Sequence, residues 1–422
     1  MVKRRRPTTL LAVTLLACFA LAATHSTESA AQKAASSAKQ PKMNPDVVKP
    51  LQAAVELANA GKFAEAEAEL QKAEAVTGKT AFEQFNVDEL FCFTSLKQAR
   101  YDPTAKACAS GLASGLLPPE QVNDRLRLLS QVYLQTKPRD LAKSGEYGKR
   151  WLEATGNRDP MMLGLVGQAA YFSDNFSDAV TYMKEATAVS VAAGKKPEEN
   201  WLLIVQSSYA KLKNNPGILE ATTELLRYYP AKAQWQTLAQ DLLARSANKD
   251  RQILQVYRLL SQVDALDGAD DYTEAATVAI QSGSPGEALK FMEKGYSSGV
   301  LEKSGDKARS QALLADAKRL AAADQKTLPQ FEKEAQADKA GEADVKLGEA
   351  FLSYAQAAKG LEAIQRGIAK GGVKSLDEAN LSLGRAYILN NNNPEALKTF
   401  ALVTSPEYRQ LATLWSIHVS QL

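Results

Sequence analysis

At 422 residues, with apolar side chains at 45% and charged ones at 23%, the chain has the composition of a folded protein, which excludes a wholly disordered one. Alanine and leucine dominate over the alternating valine, isoleucine and threonine of strands, and this points to helix. The formal net charge is +3, from 51 basic and 48 acidic residues, and four of the basic ones, Lys3 to Arg6, lie within the first six positions.

The chain opens "MVKRRRPTTLLAVTLLACFALAA": a basic head, then an apolar run from Leu10 to Ala23. That run is about 14 residues against the roughly 20 needed to span a bilayer. It reads as a secretory signal over residues 1–31, cleaved at "SAAQ" (Ser29 to Gln32) or at "ALA" (Ala20 to Ala22), which places the mature chain in the periplasm with no transmembrane span. Two rival readings exist. "LLAC" resembles a lipoprotein box ending at Cys18, but the apolar run continues past the cysteine. Arg5-Arg6 suggests a twin-arginine signal, yet Pro7-Thr8-Thr9 lacks the apolar residue expected after the pair. Removal of residues 1–31 takes the formal net charge to about zero. The basicity therefore belongs to the export signal and is no sign of nucleic-acid binding.

Residues 32–44, rich in Ala, Ser, Lys and Gln, read as a flexible leader. From 45 to 404 one pattern recurs. "LQAAVELANAGKFAEAEAELQKAEAV" (51–76) gives a helix, a turn at Gly61, and a second helix with Ala66, Leu70 and Ala73 on one face. "GLVGQAAYFSDNFSDAVTYMKEATAV" (164–189), "YTEAATVAIQSGSPGEALKFMEKG" (272–295) and "ANLSLGRAYILNNNNPEALKTFALV" (379–403) repeat it. In each, a small residue of the first helix precedes an alanine of the second by 12 positions, as Gly167 precedes Ala179 and Gly384 precedes Ala396. The larger residue follows four positions later, and a smaller one three after that. "WLLIVQSSYAKLKNNPGILEATTELLRYYP" (201–230) and "VKLGEAFLSYAQAAKGLEAIQRGI" (345–368), with Gly348 opposite Gly360, are weaker copies. These features resemble the tetratricopeptide repeat, a hairpin of about 34 residues.

The resemblance implies an all-α solenoid, a superhelix of about ten stacked helix–turn–helix hairpins. Stretches 117–158 and 302–340 keep helical periodicity without the small-residue signature and read as irregular repeats. The tail, 405–422, reads as a capping helix that covers the last hairpin with Leu411, Leu414 and Trp415.

Chemistry is scarce. The chain has two histidines, His25 in the signal and His418 in the tail, so no site with two histidine ligands can form in the mature chain. No cofactor or metal is expected, and the chain reads as a non-enzyme. "TGKT" (77–80) has Ala73 where a phosphate-binding loop needs glycine. "SYAK" (208–211) and "SDN" (173–175) resemble penicillin-recognising motifs but stand in reversed order without a third. Cys92 lies nine residues before Tyr101 and Cys108 seven after it, so an antiparallel hairpin puts them at heights about 3 Å apart. A disulfide and two buried thiols both remain open.

A concave wall of first helices suits protein segments. Repeat register nominates Met161, Gln168, Tyr171 and Phe172, then Leu202, Gln206 and Tyr209, then Gln236, Gln240 and Leu243; packing between neighbouring helices is the alternative for each. The wall lacks the Lys/Asn/Arg set of a terminal-carboxylate clamp. On "SGSPGEALKFMEKGYSSGVLEKS" (282–304), "AIQRGIAKGGVKSLDEANLSLGRAY" (363–387) and "LWSIHV" (414–419), the second half resembles exported repeat proteins that accompany TonB-type energy-transduction systems. That resemblance implies partners among TonB-type motor components. A scaffold for outer-membrane or polysaccharide-export assembly is the alternative.

Overall fold

A computed structural model describes residues 42–422 except 247 and 248. The signal segment, its cleavage site, Cys18 and nearly all of the 32–44 leader lie outside the described residues. Those described form twenty helices and no strand, and the chain parts into two compact units at Leu117/Pro118.

The first unit holds two hairpins: α1 (Pro45–Asn59) with α2 (Phe63–Glu74), and α3 (Ala81–Lys97) with α4 (Tyr101–Ala113). Asn44 caps α1 by accepting from Asp46 N at 3.0 Å. Thr80 and Glu83 form a capping box at the start of α3, each side chain accepting from the other's backbone N–H. In "TGKT", Lys79 donates to the carbonyls of Glu74 and Val76 at the end of α2, so this loop joins two hairpins. Val47, Leu51, Ala54, Ala66, Leu70, Val87 and Leu90 make the core.

The second unit begins with α5 (Pro119–Val132) and α6 (Leu141–Thr155), the irregular stretch expected at 117–158, with a cis Lys137–Pro138 bond in its loop. Then come α7 (Pro160–Phe172), α8 (Phe176–Ala192), α9 (Glu199–Lys211), α10 (Asn215–Tyr228), α11 (Lys232–Arg245) and α12 (Asp250–Gln262). They are followed by α13 (Ala269–Gln281), α14 (Pro285–Ser297), α15 (Lys307–Ala337), α16 (Glu342–Ser353) and α17 (Ala357–Lys370). The last three are α18 (Leu376–Leu389), α19 (Asn393–Ala401) and α20 (Pro406–Ser420).

Seven hairpins among the described residues share one turn. Gly61, Ala99, Asp174, Lys213, Gly283, Ala355 and Asn391 all take a left-handed φ between 53° and 75°. The next residue's N–H reaches back to the carbonyl five positions earlier, as Asn175 does to Ala170 and Asn392 to Tyr387, both at 2.9 Å. The twelve-residue small pair is centred on this turn. A Cβ built on Gly384 would stand 2.3 Å from the Phe400 ring, and one on Gly348 2.4 Å from Ile364. These are hairpins closed through side chains too small to keep the helices apart.

The stretch 302–340 departs from the expected irregular repeat. It holds one helix of 31 residues, α15, about 46 Å long at 1.5 Å per residue. No left-handed residue interrupts it, and a single line of Ala317, Ala321, Leu328 and Ala335 is buried.

The tail does cover the last hairpin: Leu411, Leu414 and Trp415 are buried, with Trp415 stacked on Phe400 at 6.0 Å. It also returns to the middle of the unit. Gln421 donates to Leu226 O at 2.9 Å, Lys249 pairs with Glu407 at 3.1 Å, and His418 stands edge-on to Trp235 of α11 at 6.5 Å. One apolar core runs from Leu226 and Trp235 through Tyr257 and Met292 to Phe400 and Trp415. Helices α11 to α20 therefore close on themselves.

Candidate partner-binding surfaces

Helices α7 and α9 are neighbouring first helices, tied by a 2.7 Å hydrogen bond between Tyr171 Oη and Ser207 Oγ. Met161 is 63% exposed, Phe172 61% and Leu203 43%, and Gln168 is half-buried beside them. Tyr171 is held edge-on between Phe172 and Phe176, with ring centroids at 5.5 and 5.7 Å. This is an open apolar wall, and Met161, Gln168, Tyr171 and Phe172 come together on it.

Leu202, Gln206 and Tyr209 do not join that wall. Leu202 is 4% exposed. Gln206 donates to Thr222 Oγ1 at 2.8 Å on α10, and a Cβ on Gly217 of α10 would stand 2.5 Å from the Tyr209 ring. All three face the second helices, and the open positions of α9 are Leu203, Ser207 and Ala210. The reason is a one-residue shift of register, about 100° around the helix. Gln206 lies seven residues before the turn residue Lys213, the place Gly167 holds before Asp174, and that place faces inward.

Leu202 and Tyr209 instead line an apolar groove of about 470 Å³ between α8, α9 and α10, with Val191 and Val205. Lys184 and Glu220 pair across its rim at 2.7 Å. On α11, Gln236 donates to Ala265 O at 3.1 Å, Gln240 is exposed, and Leu243 packs on the core. Those three nominees form no common surface with the α7–α9 wall.

Cys92 and Cys108 are joined by a disulfide, with Cα atoms 4.9 Å apart. In "SDN", Asp174 is the turn residue of a hairpin, and Ser208 of "SYAK" is fully buried. His418 is buried between Trp235 and Trp415, and burial lowers its pKa. Among the described residues no cluster of three or more His, Cys, Asp or Glu could hold a metal ion. No helix there is long and apolar enough to cross a membrane.

A polar feature of the closed part escaped sequence reasoning. Arg258, almost wholly buried, holds Glu287 through Nε and Nη2 at 2.6 to 3.0 Å and Glu349 through Nη1 at 3.1 Å. Arg385 reaches the same Glu287 at 2.9 Å, and Ser382 donates to Glu349. Arg251 donates from Nε to Glu378 at 2.7 Å. These groups come from α12, α14, α16 and α18 and lie 29 to 127 residues apart, so no local spacing announces them.

Burial opposes the charge on Glu349, but Arg258, the Ser382 hydroxyl, Arg251 and Arg385 outweigh it and hold the carboxyl at about 2. Glu378 goes the other way: burial, with the charge of Glu349, raises it. A cavity of about 270 Å³ opens onto this network.

No family model matches the chain, and no curated protein matches it. Among solved structures, the chain is similar to pilF of Pseudomonas aeruginosa at 15% identity, over 46% of this chain and 97% of that one, with a TM-score of 0.25. It is also similar to the C-terminal part of a TPR repeat-containing protein of Cytophaga hutchinsonii, at 15% identity over 64% and 95%, with a TM-score of 0.29. The P58(IPK) TPR domain gives 12% identity over 89% and 98%, with a TM-score of 0.22.

Proposed function

We propose that this chain is a non-enzymatic scaffold of the bacterial periplasm that grips a segment of a protein partner on the wall of α7 and α9. One observation carries the reading: Met161, Phe172 and Leu203, all more than two-fifths exposed, stand on two hydrogen-bonded neighbouring helices. Clustered apolar groups of this size left in water favour a covering partner. Met161, Gln168, Tyr171, Phe172, Leu203 and Ser207 are uncharged, with exposed Glu199 and Lys211 at the two ends of α9, so the middle of the wall suits an apolar face of an amphipathic helix or an extended segment.

The disulfide supports an oxidising compartment, where such bonds persist, and the signal-like first 31 residues support export. The resemblance of the second half to exported repeat proteins of TonB-type systems nominates motor components of that kind as partners. In-cell crosslinking of the exported protein, with partners identified by mass spectrometry, tests this. Recovery of TonB-type components, lost in Phe172→Ser and Met161→Ser, is the expected result. Recovery of outer-membrane assembly or polysaccharide-export proteins alone would replace the energy-transduction role with the assembly scaffold.

A further inference from the structure

The cavity on the ionic network is walled by α12, α15, α16, α18 and the turn before α14. The charged side chains that line it are equal in number, with Glu342 behind Arg251 and Lys346. Arg251, Arg258 and Lys346 face Asp324, Glu349 and Glu378. A ligand of net charge would leave one charge uncompensated in a half-enclosed site, and an apolar ligand would strand all six.

The groups differ in how fully they are used. Arg258 and Glu349 are tied into the floor by the bonds described above. Arg251 spends only Nε in a hydrogen bond; its Nη1 stands 3.6 Å from Glu342 and its Nη2 4.0 Å from Glu349. Lys346 Nζ stands 3.5 Å from the same Glu342 Oε1, which is buried and accepts no hydrogen bond. On the acidic side, Asp324 takes the Tyr354 hydroxyl on one oxygen at 2.7 Å and has the other to offer. Glu378 binds Arg251 with one oxygen only. Ser282 Oγ, also on the cavity wall, is buried without a partner.

The spare valences are thus cationic donors on α12 and α16 and carboxylate acceptors on α15 and α18. We infer that the cavity binds a small zwitterion with the chemistry of a free α-amino acid, its carboxylate on Arg251 and Lys346 and its ammonium on Asp324 and Glu378. Each of those contacts is charge-assisted and partly desolvated, the setting in which such bonds discriminate most sharply. The site is independent of the α7–α9 wall, and its failure leaves the partner reading untouched.

Calorimetric titration of the full chain with single L-amino acids at millimolar concentration tests the inference. Saturable binding of at least one is expected, weakened about tenfold or more when its amine is acetylated or its carboxyl amidated. Lys346→Gln and Asp324→Asn should each weaken it about tenfold with an unchanged melting curve, since neither residue belongs to the buried floor. No saturable binding of any amino acid, or binding indifferent to both blocking groups, overturns the assignment. So does binding of neutral sugars in their place, or of acetate as strongly as of the amino acid.

Discussion

Cys92 and Cys108 stand 16 residues apart, the separation that also sets Gly167 against Met183 and Gly384 against Phe400. In those hairpins a missing side chain receives a large one; in this hairpin the same two positions are joined by a covalent bond. The disulfide therefore substitutes for a packing contact at a fixed place in the repeat. Reduction, or Cys92→Ala with Cys108→Ala, is expected to lower the stability of the first unit by about 3 kcal/mol. Cys92→Gly with Cys108→Met, which copies the Gly167–Met183 pair, should recover part of that. Urea unfolding with and without reductant reads both, and an unmoved midpoint on reduction would sink the argument.

The shared turn makes a second expectation. Lys213 holds a left-handed φ of 53°, a conformation that costs a side-chain-bearing residue about 1–2 kcal/mol. Lys213→Gly removes that cost and adds unfolded-chain freedom, for a net gain of about 0.5–1 kcal/mol. Gly283→Ala, at φ 75°, should lose about as much. Thermal melts of the two variants moving in the same direction would refute the reading.

Close approach gives the third. Gly384→Ala places a methyl 2.3 Å from the Phe400 ring, and Phe400 is itself pinned by Trp415. We expect a loss of about 1–3 kcal/mol from overpacking, largely relieved when Phe400→Leu is added. A double-mutant cycle measures the relief, and strictly additive losses would contradict it.

Acid should weaken the second unit through Glu349. Its folded value of about 2 lies below the ordinary 4.5. The stabilisation is therefore complete above pH 4.5 and disappears as pH falls towards 2, at most on the order of 3 kcal/mol. Glu378 opposes this: its value is raised, so its carboxylate costs stability at neutral pH and relieves it on protonation. Denaturant midpoints between neutral pH and pH 3 should fall in the native protein and fall less in Glu349→Gln. Equal slopes would leave the network without a role in acid sensitivity.

Legibility followed the range of each interaction. The hairpins could be read because Gly167 and Ala179, or Gly384 and Ala396, are twelve positions apart and a window of ordinary length holds both. The 16-residue relation of Cys92 to Cys108 was visible in the same windows, once compared with Gly167 and Met183. The α9 nominees were placed by a register one residue off, and the turn at Lys213 is what fixes it. The stretch 302–340 reads as an irregular repeat because its helical periodicity is unbroken whether it holds one helix or two, and α15 is one. Arg258, Glu287 and Glu349 lie too far apart in the chain for any pattern to join them. Of the nominated positions, those on α7 lie together on one exposed face, whereas those on α9 face α10.

The return of α20 onto α10 and α11 has a consequence for the order in which the chain can be completed. The core of the first unit is drawn from Val47 to Leu90, so synthesis of about a quarter of the chain supplies all of it. Trp235 must wait for Trp415 and His418, and Leu226 for Gln421, nearly two hundred residues later. Through that interval the part of α11 around Trp235 lacks its cover from α20, the kind of delay that slows folding and invites wrong partners. A chain stopped before α20 would keep its early hairpins and aggregate through its middle, so the last fifteen residues of regular structure decide whether the preceding ones stay soluble.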